Sequence, residues 1–312
     1  MQKVISGIFL VVLIALTGFC FFIQSPVEIR HIEIVKNNEN SCRNYLLSKN
    51  AVGLKWLPST ATILSDSAFN YGDCTYKVTG KSTLGLEINI IADKQVFNTH
   101  LLILPFENEY IRLQWETAFP LSSNPIKKLK QYFLARKIQQ QLNSLSKQLS
   151  AFLSNEENIY NCKIEKSKVT DTIVLVTNFT TSQFPSISAI YAIINELNQY
   201  LTSHSVSASN PPMLNIKRIS ENQYKTMLAL PINKSIPSSP RFIVQKMQPG
   251  NILVTTVVGD YNTISNTMKQ MEQYLEDYHL TAPSIPYQSM ITDRMTQKDS
   301  TKWITKIYFP VY

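Results

Sequence analysis

Side chains that could hold a small molecule are concentrated near the end of the chain. Tyr287, Trp303 and Tyr308 are aromatic residues in or beside predicted strands, Lys306 stands between the last two, and Tyr261 opens a predicted helix. Aromatic rings contribute large apolar contact areas, and a lysine attracts carboxylate or phosphate groups. The pattern favours a largely apolar ligand with an anionic group near Lys306, although a solvated lysine on a strand face is the alternative.

Tyr191 and Glu196 are two further candidates, on the first predicted helix of the same region. Glu196 could supply a negative charge to a ligand, or it could be an ordinary exposed glutamate. Side chains of a strand alternate between faces, which places Trp303 on one face and Lys306 with Tyr308 on the other. Trp303 and Lys306 are therefore not expected to point directly into one pocket unless a bulge intervenes.

Motifs of the easily recognised catalytic classes are absent from the sequence. GxGxxG, GxxxxGK[ST], HExxH and GxSxG do not occur, and the four histidines show no metal-ligand spacing. We therefore expect no cofactor and no metal. If the protein is an enzyme, the candidate acid–base groups are Glu196, Tyr261 and Tyr308.

An internal repeat organises the second half of the chain. LVTNF at Leu175–Phe179 parallels LVTTV at Leu253–Val257, and YKTMLALPI at Tyr224–Ile232 parallels WITKIYFPV at Trp303–Val311. Each copy, 171–232 and 242–312, is predicted to run strand, helix, strand, strand, with a Ser/Pro-rich linker between them. Two such βαββ copies can pair about a pseudo-twofold axis, with both helices on one face and a cleft on the other.

This half, 166–312, resembles the GyrI-like domain, also called the AraC effector-binding domain. The resemblance lies in MQPGNILVTTVVGDYNTI (Met247–Ile264), IPYQSMITDR (Ile285–Arg294) and WITKIYFPV. It implies a central cleft that binds bulky, often cationic or aromatic molecules, and some members act as hydrolases. Many members carry a glutamate four residues before the terminal proline, where this chain has Lys306. That difference weakens the cationic-ligand and glutamate-dependent hydrolase interpretations.

Residues 25–160 are predicted to form a first domain. IRHIEIV at Ile29–Val35 alternates as a strand does, a short helix is expected over 38–50, and several antiparallel strands follow. Asn124 and Pro125 then begin a long helix to Leu153, with apolar residues every three or four positions. A meander closed by a long helix is a helix-grip arrangement.

This region resembles the SRPBCC superfamily, which includes START-like and polyketide cyclase-like domains. The matching segments are LKWLP (Leu54–Pro58), LQWETAFPL (Leu113–Leu121) and SNPIKKLKQYF (Ser123–Phe133). The resemblance implies an apolar cavity between the sheet and the long helix. Trp56 and Trp115 either line that cavity or belong to the core.

The N-terminus carries a predicted membrane anchor. Val4–Ile23 is apolar and uncharged, close to the ~20 residues that span a bilayer core. Its length and its bulky end favour an uncleaved transmembrane helix within 1–24 over a signal peptide or a lipoprotein cysteine at Cys20. The short leading tail predicts that the remaining domains lie outside the cytoplasm. In an oxidising space, two of Cys42, Cys74 and Cys162 could form a disulfide; buried thiols are the alternative.

The net charge is +8, and the stretch Lys127–Lys147 contains six basic residues and no acid. Attraction to anionic lipid and a solvated helix face both explain this cluster, whereas no nucleic-acid-binding module is present. We therefore expect the membrane and a small molecule, but not nucleic acid, as partners.

Three functional hypotheses follow for this α+β protein. The favoured one is a membrane-tethered, non-catalytic protein that binds an apolar or amphipathic small molecule. The alternatives are a hydrolase-type enzyme acting on a reactive or lipidic molecule, and an interaction protein whose pockets are vestigial.

Overall fold

The computed structural model describes residues 18, 22–48, 55–107, 109–171 and 173–312. The chain forms two compact units, Met1–Asn155 and Glu156–Tyr312. Each contains one antiparallel sheet with helices, so the predicted α+β class is confirmed. Within the described residues, no helix is both long and apolar enough to cross a membrane. The predicted anchor, 4–23, lies almost entirely outside the described residues.

The described residues of unit 1 form one seven-stranded sheet and two helices, with the strands in the order β1-β7-β6-β5-β4-β3-β2. The short strands β2 and β3 were not expected from the sequence, since β2 is exposed along its whole length and shows no alternation. The elements are β1 Val27–Lys36, α1 Glu39–Leu47, β2 Thr62–Ser65, β3 Ala68–Tyr71, β4 Cys74–Ser82, β5 Gly85–Ala92, β6 Gln95–Glu107, β7 Tyr110–Phe119 and α2 Pro125–Leu153.

Helix α2 has the limits that the sequence predicts. The Asn124 side chain accepts hydrogen bonds from the backbone N–H groups of Ile126 (3.1 Å) and Lys127 (3.2 Å), and proline occupies the first turn. The helix packs on β1 and β7. Its buried stripe consists of Ala135, Ile138, Leu142, Leu145, Ser146, Leu149 and Leu153.

The tryptophans proposed as first-domain cavity residues are enclosed in the core of unit 1. Trp115 on β7 is fully buried, and Trp56 is 7% exposed. Trp56 packs edge-on against Phe69, with ring centroids 6.0 Å apart. Neither tryptophan lines the two surface pockets described in this unit. Both are therefore packing residues in this structure.

Unit 2 contains one eight-stranded sheet in the order β12-β9-β11-β10-β14-β15-β13-β8. The order strand, helix, strand, strand occurs twice, as β9-α4-β10-β11 and as β13-α5-β14-β15. The elements are α3 Glu156–Tyr160, β8 Glu165–Lys168, β9 Ile173–Thr181, α4 Ile187–Ser203, β10 Met213–Ser220, β11 Gln223–Ile232, β12 Ile243–Lys246, β13 Asn251–Val258, α5 Tyr261–Asp277, β14 Tyr287–Met290, a 3₁₀ turn Ser300–Lys302 and β15 Ile304–Val311.

The two copies join through β10 and β14, where Met213 lies opposite Ser289 and Leu214 lies opposite Gln288. The outer strands cross over between the copies. β8, which leads into β9 of the first copy, pairs with β13 of the second, and β12, which leads into β13 of the second copy, pairs with β9 of the first. Each copy is therefore completed by the strand that leads into the other.

Alternation along the strands separates the two faces of this sheet. Leu175, Leu228 and Leu230 pack with Ile190 and Ile194 of α4 in one buried cluster. The intervening residues of the same strands form a second cluster on the opposite face, made of Val174, Val176, Met213 and Ala229. The face with the helices is the helix face below, and the other is the open face.

Helix α3 belongs to unit 2, although the sequence placed the domain limit after it, at residue 160. It packs on α5, and the buried Tyr160 hydroxyl donates to Asp277 Oδ2 at 2.7 Å. Glu156 in its first turn accepts a hydrogen bond from Tyr278. These polar contacts are long-range, so sequence spacing alone gave no indication of them.

The cysteine alternatives are also resolved for the described residues. No disulfide joins Cys42, Cys74 and Cys162. Burial raises the pKa of the Cys74 and Cys162 thiols, which keeps both protonated at neutral pH.

Candidate functional site

A cavity of about 340 Å³ lies on the open face of unit 2. Val174 and Val176 of β9 line it, together with Met213 of β10 and Met227 and Ala229 of β11. The second copy contributes Tyr287 of β14 and the end of β15. Both copies thus build one apolar cavity of a size typical of small-molecule sites.

Tyr287 is an aromatic residue of the cavity lining, and Tyr308, outside the lining, stacks against it. Their rings stack with centroids 4.8 Å apart, and Tyr287 lines the cavity directly. Burial raises the pKa of both phenols, and the nearby Asp171 carboxylate raises the pKa of each further. Both side chains are therefore neutral at physiological pH and can donate a hydrogen bond.

The positive charge at the cavity comes from Lys246, at the end of β12, and not from Lys306. Lys246 is one of the lining residues. Lys306 is exposed and lies opposite Ser289 in the β14–β15 register, outside the lining set. Its charge acts on Glu165, whose pKa is lowered mainly by Lys163 and further by Lys306. The expected anionic contact at Lys306 is thus not part of this cavity.

Three of the remaining candidates gather on the helix face. Tyr261 begins α5, as predicted, and packs edge-on against Trp303 with ring centroids 5.7 Å apart. The Arg294 guanidinium carbon lies 5.0 Å from the Tyr261 ring centroid and 4.9 Å from that of Trp303. The Tyr191 hydroxyl accepts a hydrogen bond from the Arg294 backbone N–H at 2.7 Å. We call Tyr191, Tyr261, Arg294 and Trp303 the arginine group.

Tyr191 is half-buried in this group as well as hydrogen-bonded to it. Burial raises the pKa of its phenol above the ordinary value, which keeps the hydroxyl protonated. Glu196 lies elsewhere on α4, where it forms an ion pair with Arg241 and is partly exposed. Glu196 therefore supplies no charge to the open-face cavity or to the arginine group.

The predicted ligand-binding residues therefore divide between two places. Tyr287 lines the open-face cavity and Tyr308 stacks against it, whereas Tyr191, Tyr261 and Trp303 are in the arginine group on the other face. Strand alternation had separated Trp303 from Tyr308 correctly. Arg294, Lys246 and Met213 were missed: Arg294 lies in a loop without periodicity, and Lys246 lies in a strand too short to show one.

No family model matches the chain, and no curated protein matches it. Solved structures do match, at low similarity. The EcmrR C-terminal domain is 18% identical, with 48% of this chain and 98% of that chain covered and a TM-score of 0.42. EcmrR in a complex with DNA is also 18% identical, with 61% of this chain and 72% of that chain covered and a TM-score of 0.43. A hydrolase from Listeria innocua is 12% identical, with 48% of this chain and 92% of that chain covered and a TM-score of 0.38. SAV2435 bound to tetraphenylphosphonium is 12% identical, with 48% of this chain and 94% of that chain covered and a TM-score of 0.33.

Proposed function

We propose that unit 2 binds a small, largely apolar molecule in the open-face cavity, without chemical turnover. The observation that carries this proposal is the cavity itself: about 340 Å³, lined by valine, methionine and alanine from one copy and by Tyr287 from the other. Apolar walls with a few convergent polar groups are typical of small-molecule sites. An open cavity of this size also favours binding over the vestigial-pocket alternative.

The polar groups of the cavity are suited to recognition. The lining includes the amide of Asn215, the neutral phenol of Tyr287 and the positively charged side chain of Lys246. Ser284 also lines the cavity, but among the described lining residues there is no carboxylate, imidazole or thiol side chain. A serine or tyrosine hydroxyl needs a neighbouring base to act as a nucleophile, and no carboxylate or imidazole side chain of the described lining is there to serve as one, so the lining favours binding over hydrolysis.

A cavity-filling variant tests the proposal. Ala229 is 9% exposed and its side chain points into the cavity, so Ala229→Trp should fill the space. We expect the purified full chain to bind the apolar dye N-phenyl-1-naphthylamine, and Ala229→Trp to weaken binding at least about tenfold, as loss of one well-packed apolar group does. Ala151→Trp, at an exposed position of α2, is the matched control.

Equal dye affinity for Ala229→Trp and the wild-type chain would place the dye elsewhere and contradict the proposal. Absence of dye binding by the wild-type protein would favour the interaction-protein alternative. Consumption of an ester or amide probe that is abolished by Ala229→Trp would instead favour the hydrolase alternative.

We also propose that unit 1 is a helix-grip domain of the SRPBCC type and that unit 2 is a GyrI-like domain. The order of strands in each sheet, and the packing of α2 on β1 and β7, support these assignments. The tether over 4–23, the extracytoplasmic location and the absence of a nucleic-acid partner remain proposals supported by the sequence. Extraction of membranes with alkaline carbonate tests the tether, since an integral span remains in the pellet.

A further inference from the structure

Arg294 is a buried cation on the helix face of unit 2, with 2% of its surface exposed. Its Nη2 donates to the Thr305 hydroxyl at 2.9 Å. Among the described residues, no carboxylate forms an ion pair with it. A charge removed from water without a counter-charge is strongly unfavourable, and contacts with two aromatic faces offset this only in part.

Two hydrogen-bond donors of the arginine group are also enclosed without an acceptor. Arg294 Nη1 and the Tyr261 hydroxyl are shielded from solvent, and neither has a hydrogen-bond partner among the described residues. Buried donors are nearly always paired in folded proteins. Two such donors beside the same ring system therefore indicate an acceptor that the described chain does not supply.

The neighbouring acidic residues are already engaged. Asp260 caps α5 by accepting from the Thr263 backbone N–H at 2.9 Å, and Asp293 accepts from the Met295 backbone N–H at 2.8 Å. Asp293 also interacts with the Tyr191 hydroxyl, whose pKa is raised by burial and further by this carboxylate. The structure thus provides a positively charged, aromatic-walled position whose adjacent carboxylates are engaged elsewhere.

The loop between β14 and β15 holds Arg294 in place. The Trp303 indole N–H donates to the Gln297 carbonyl at 2.9 Å, and the Arg294 backbone N–H donates to Tyr191 at 2.7 Å. The guanidinium is therefore positioned before any ligand arrives, which lowers the entropy that binding must overcome.

We propose that the arginine group binds the carboxylate of a small organic acid, with one oxygen accepting from Arg294 Nη1 and the other from the Tyr261 hydroxyl. Arg294 Nη1 and the Tyr261 hydroxyl both lack a hydrogen-bond partner in the described part of the chain, and a carboxylate has two oxygens to match these two groups. Phe184 packs edge-on against Tyr261 at 5.1 Å and is 47% exposed, so an apolar acid would find an aromatic wall on the exposed side. This site lies on the face opposite the open-face cavity and does not depend on it.

Benzoate is a suitable probe, with its neutral analogue benzamide, inorganic phosphate and sodium chloride compared at equal ionic strength. We expect benzoate to raise the melting temperature of the full chain and benzamide not to do so. Tyr261→Phe keeps the ring and removes only the hydroxyl, and it should raise the benzoate dissociation constant about tenfold, as loss of one hydrogen bond to a charged group does. Arg294→Gln should abolish benzoate binding, and Arg294→Lys should restore part of it.

Arg241→Gln is the matched control, because Arg241 is an exposed arginine of the same unit whose partner is Glu196. Its benzoate affinity should equal that of the wild-type protein. Equal stabilisation by benzoate and benzamide, stabilisation by phosphate alone, or unchanged benzoate affinity in Tyr261→Phe would each overturn the proposal. Because Tyr261→Phe conserves the packed ring, its result is informative even if Arg294→Gln fails to fold. Dye binding in the open-face cavity should be unaffected in Tyr261→Phe, so the two proposals fail separately.

Discussion

Tyr287 and Tyr308 stack across the β14–β15 pair, with ring centroids 4.8 Å apart and ring planes 13° from parallel. The two residues are directly opposed in the strand register. Cross-strand aromatic pairs of this kind stabilise a sheet beyond their burial. The stack therefore holds Tyr287 in the lining of the open-face cavity.

Removal of one ring from this stack should weaken binding more than it disturbs the fold. We expect Tyr308→Ala to lower affinity for N-phenyl-1-naphthylamine about three- to tenfold, because aromatic pairs contribute about 0.5–1.5 kcal/mol. Fluorescence titration measures this directly. Tyr308→Phe keeps the stack, and its affinity should match wild type; a loss as large as that in Tyr308→Ala would show that the hydroxyl and not the ring matters.

Adjacent residues of β9 should respond differently to truncation because they lie on opposite faces. Leu175 is fully buried in the helix-face cluster, so Leu175→Ala should reduce the free energy of unfolding by about 2–5 kcal/mol. Val176 borders the open-face cavity and loses fewer packed neighbours, so Val176→Ala should cost less than about 2 kcal/mol. Urea unfolding measures both. Equal losses would contradict the division of the sheet into a packed face and an open face.

Gly85 is required by backbone geometry in unit 1. Its φ is +156°, and a Cβ there would lie 1.9 Å from the Leu101 carbonyl oxygen. Gly85→Ala should therefore reduce the free energy of unfolding by more than about 2 kcal/mol. Gly80→Ala is the comparison, since its Cβ would meet only the Glu87 side chain, whose carboxylate can move away, and the change should stay within about 1 kcal/mol. If both variants unfold at the wild-type denaturant concentration, the strain argument is wrong.

Alkaline pH should destabilise the protein through its buried phenols. Burial raises the pKa of Tyr45 from 10.0 to about 12 and raises that of Tyr76 and Tyr274 as well. Above pH 10 the unfolded chain loses phenolic protons that the folded protein retains. The stabilisation is thus complete below pH 10 and is lost as the pH rises through 12. Guanidinium unfolding at successive pH values measures the slope, which should be shallower in Tyr45→Phe; an unchanged slope would exclude Tyr45 as a contributor.

The Tyr160–Asp277 hydrogen bond should contribute measurably to the stability of unit 2. Both residues are at most 2% exposed, and the Gln273 amide also donates to Asp277, at 2.8 Å. Tyr160→Phe removes one donor from a buried carboxyl, which should cost about 1–3 kcal/mol. Tyr312→Phe, at a residue that is 72% exposed, should cost nothing detectable. Equal melting temperatures for the two variants would contradict this assignment.

Much of the fold could be predicted from local pattern. The Asn124 cap and the periodicity of α2 gave that helix its limits, and alternation separated Trp303 from Tyr308. The parts that were missed depend on long-range contacts. Strands β8 and β12 are four residues each and are defined by their partners, and Arg294 acquires meaning only when the loop folds over Tyr261 and Trp303. Lys306 was predicted to contact the ligand, but it lies outside the cavity lining. A strand pattern identifies the face on which a residue lies, and it does not show which part of that face borders a cavity.

The pairing of β8 and β12 with strands of the opposite copies has a further consequence. Both outer strands are short and bear lysine, which discourages a neighbouring molecule from extending the sheet. Because each strand is donated across the duplication, an isolated half would keep its own helix yet expose the unprotected flank of β9 or β13. We expect separately produced halves to self-associate, because unit 2 folds as one cooperative piece in which each half depends on a strand from the other.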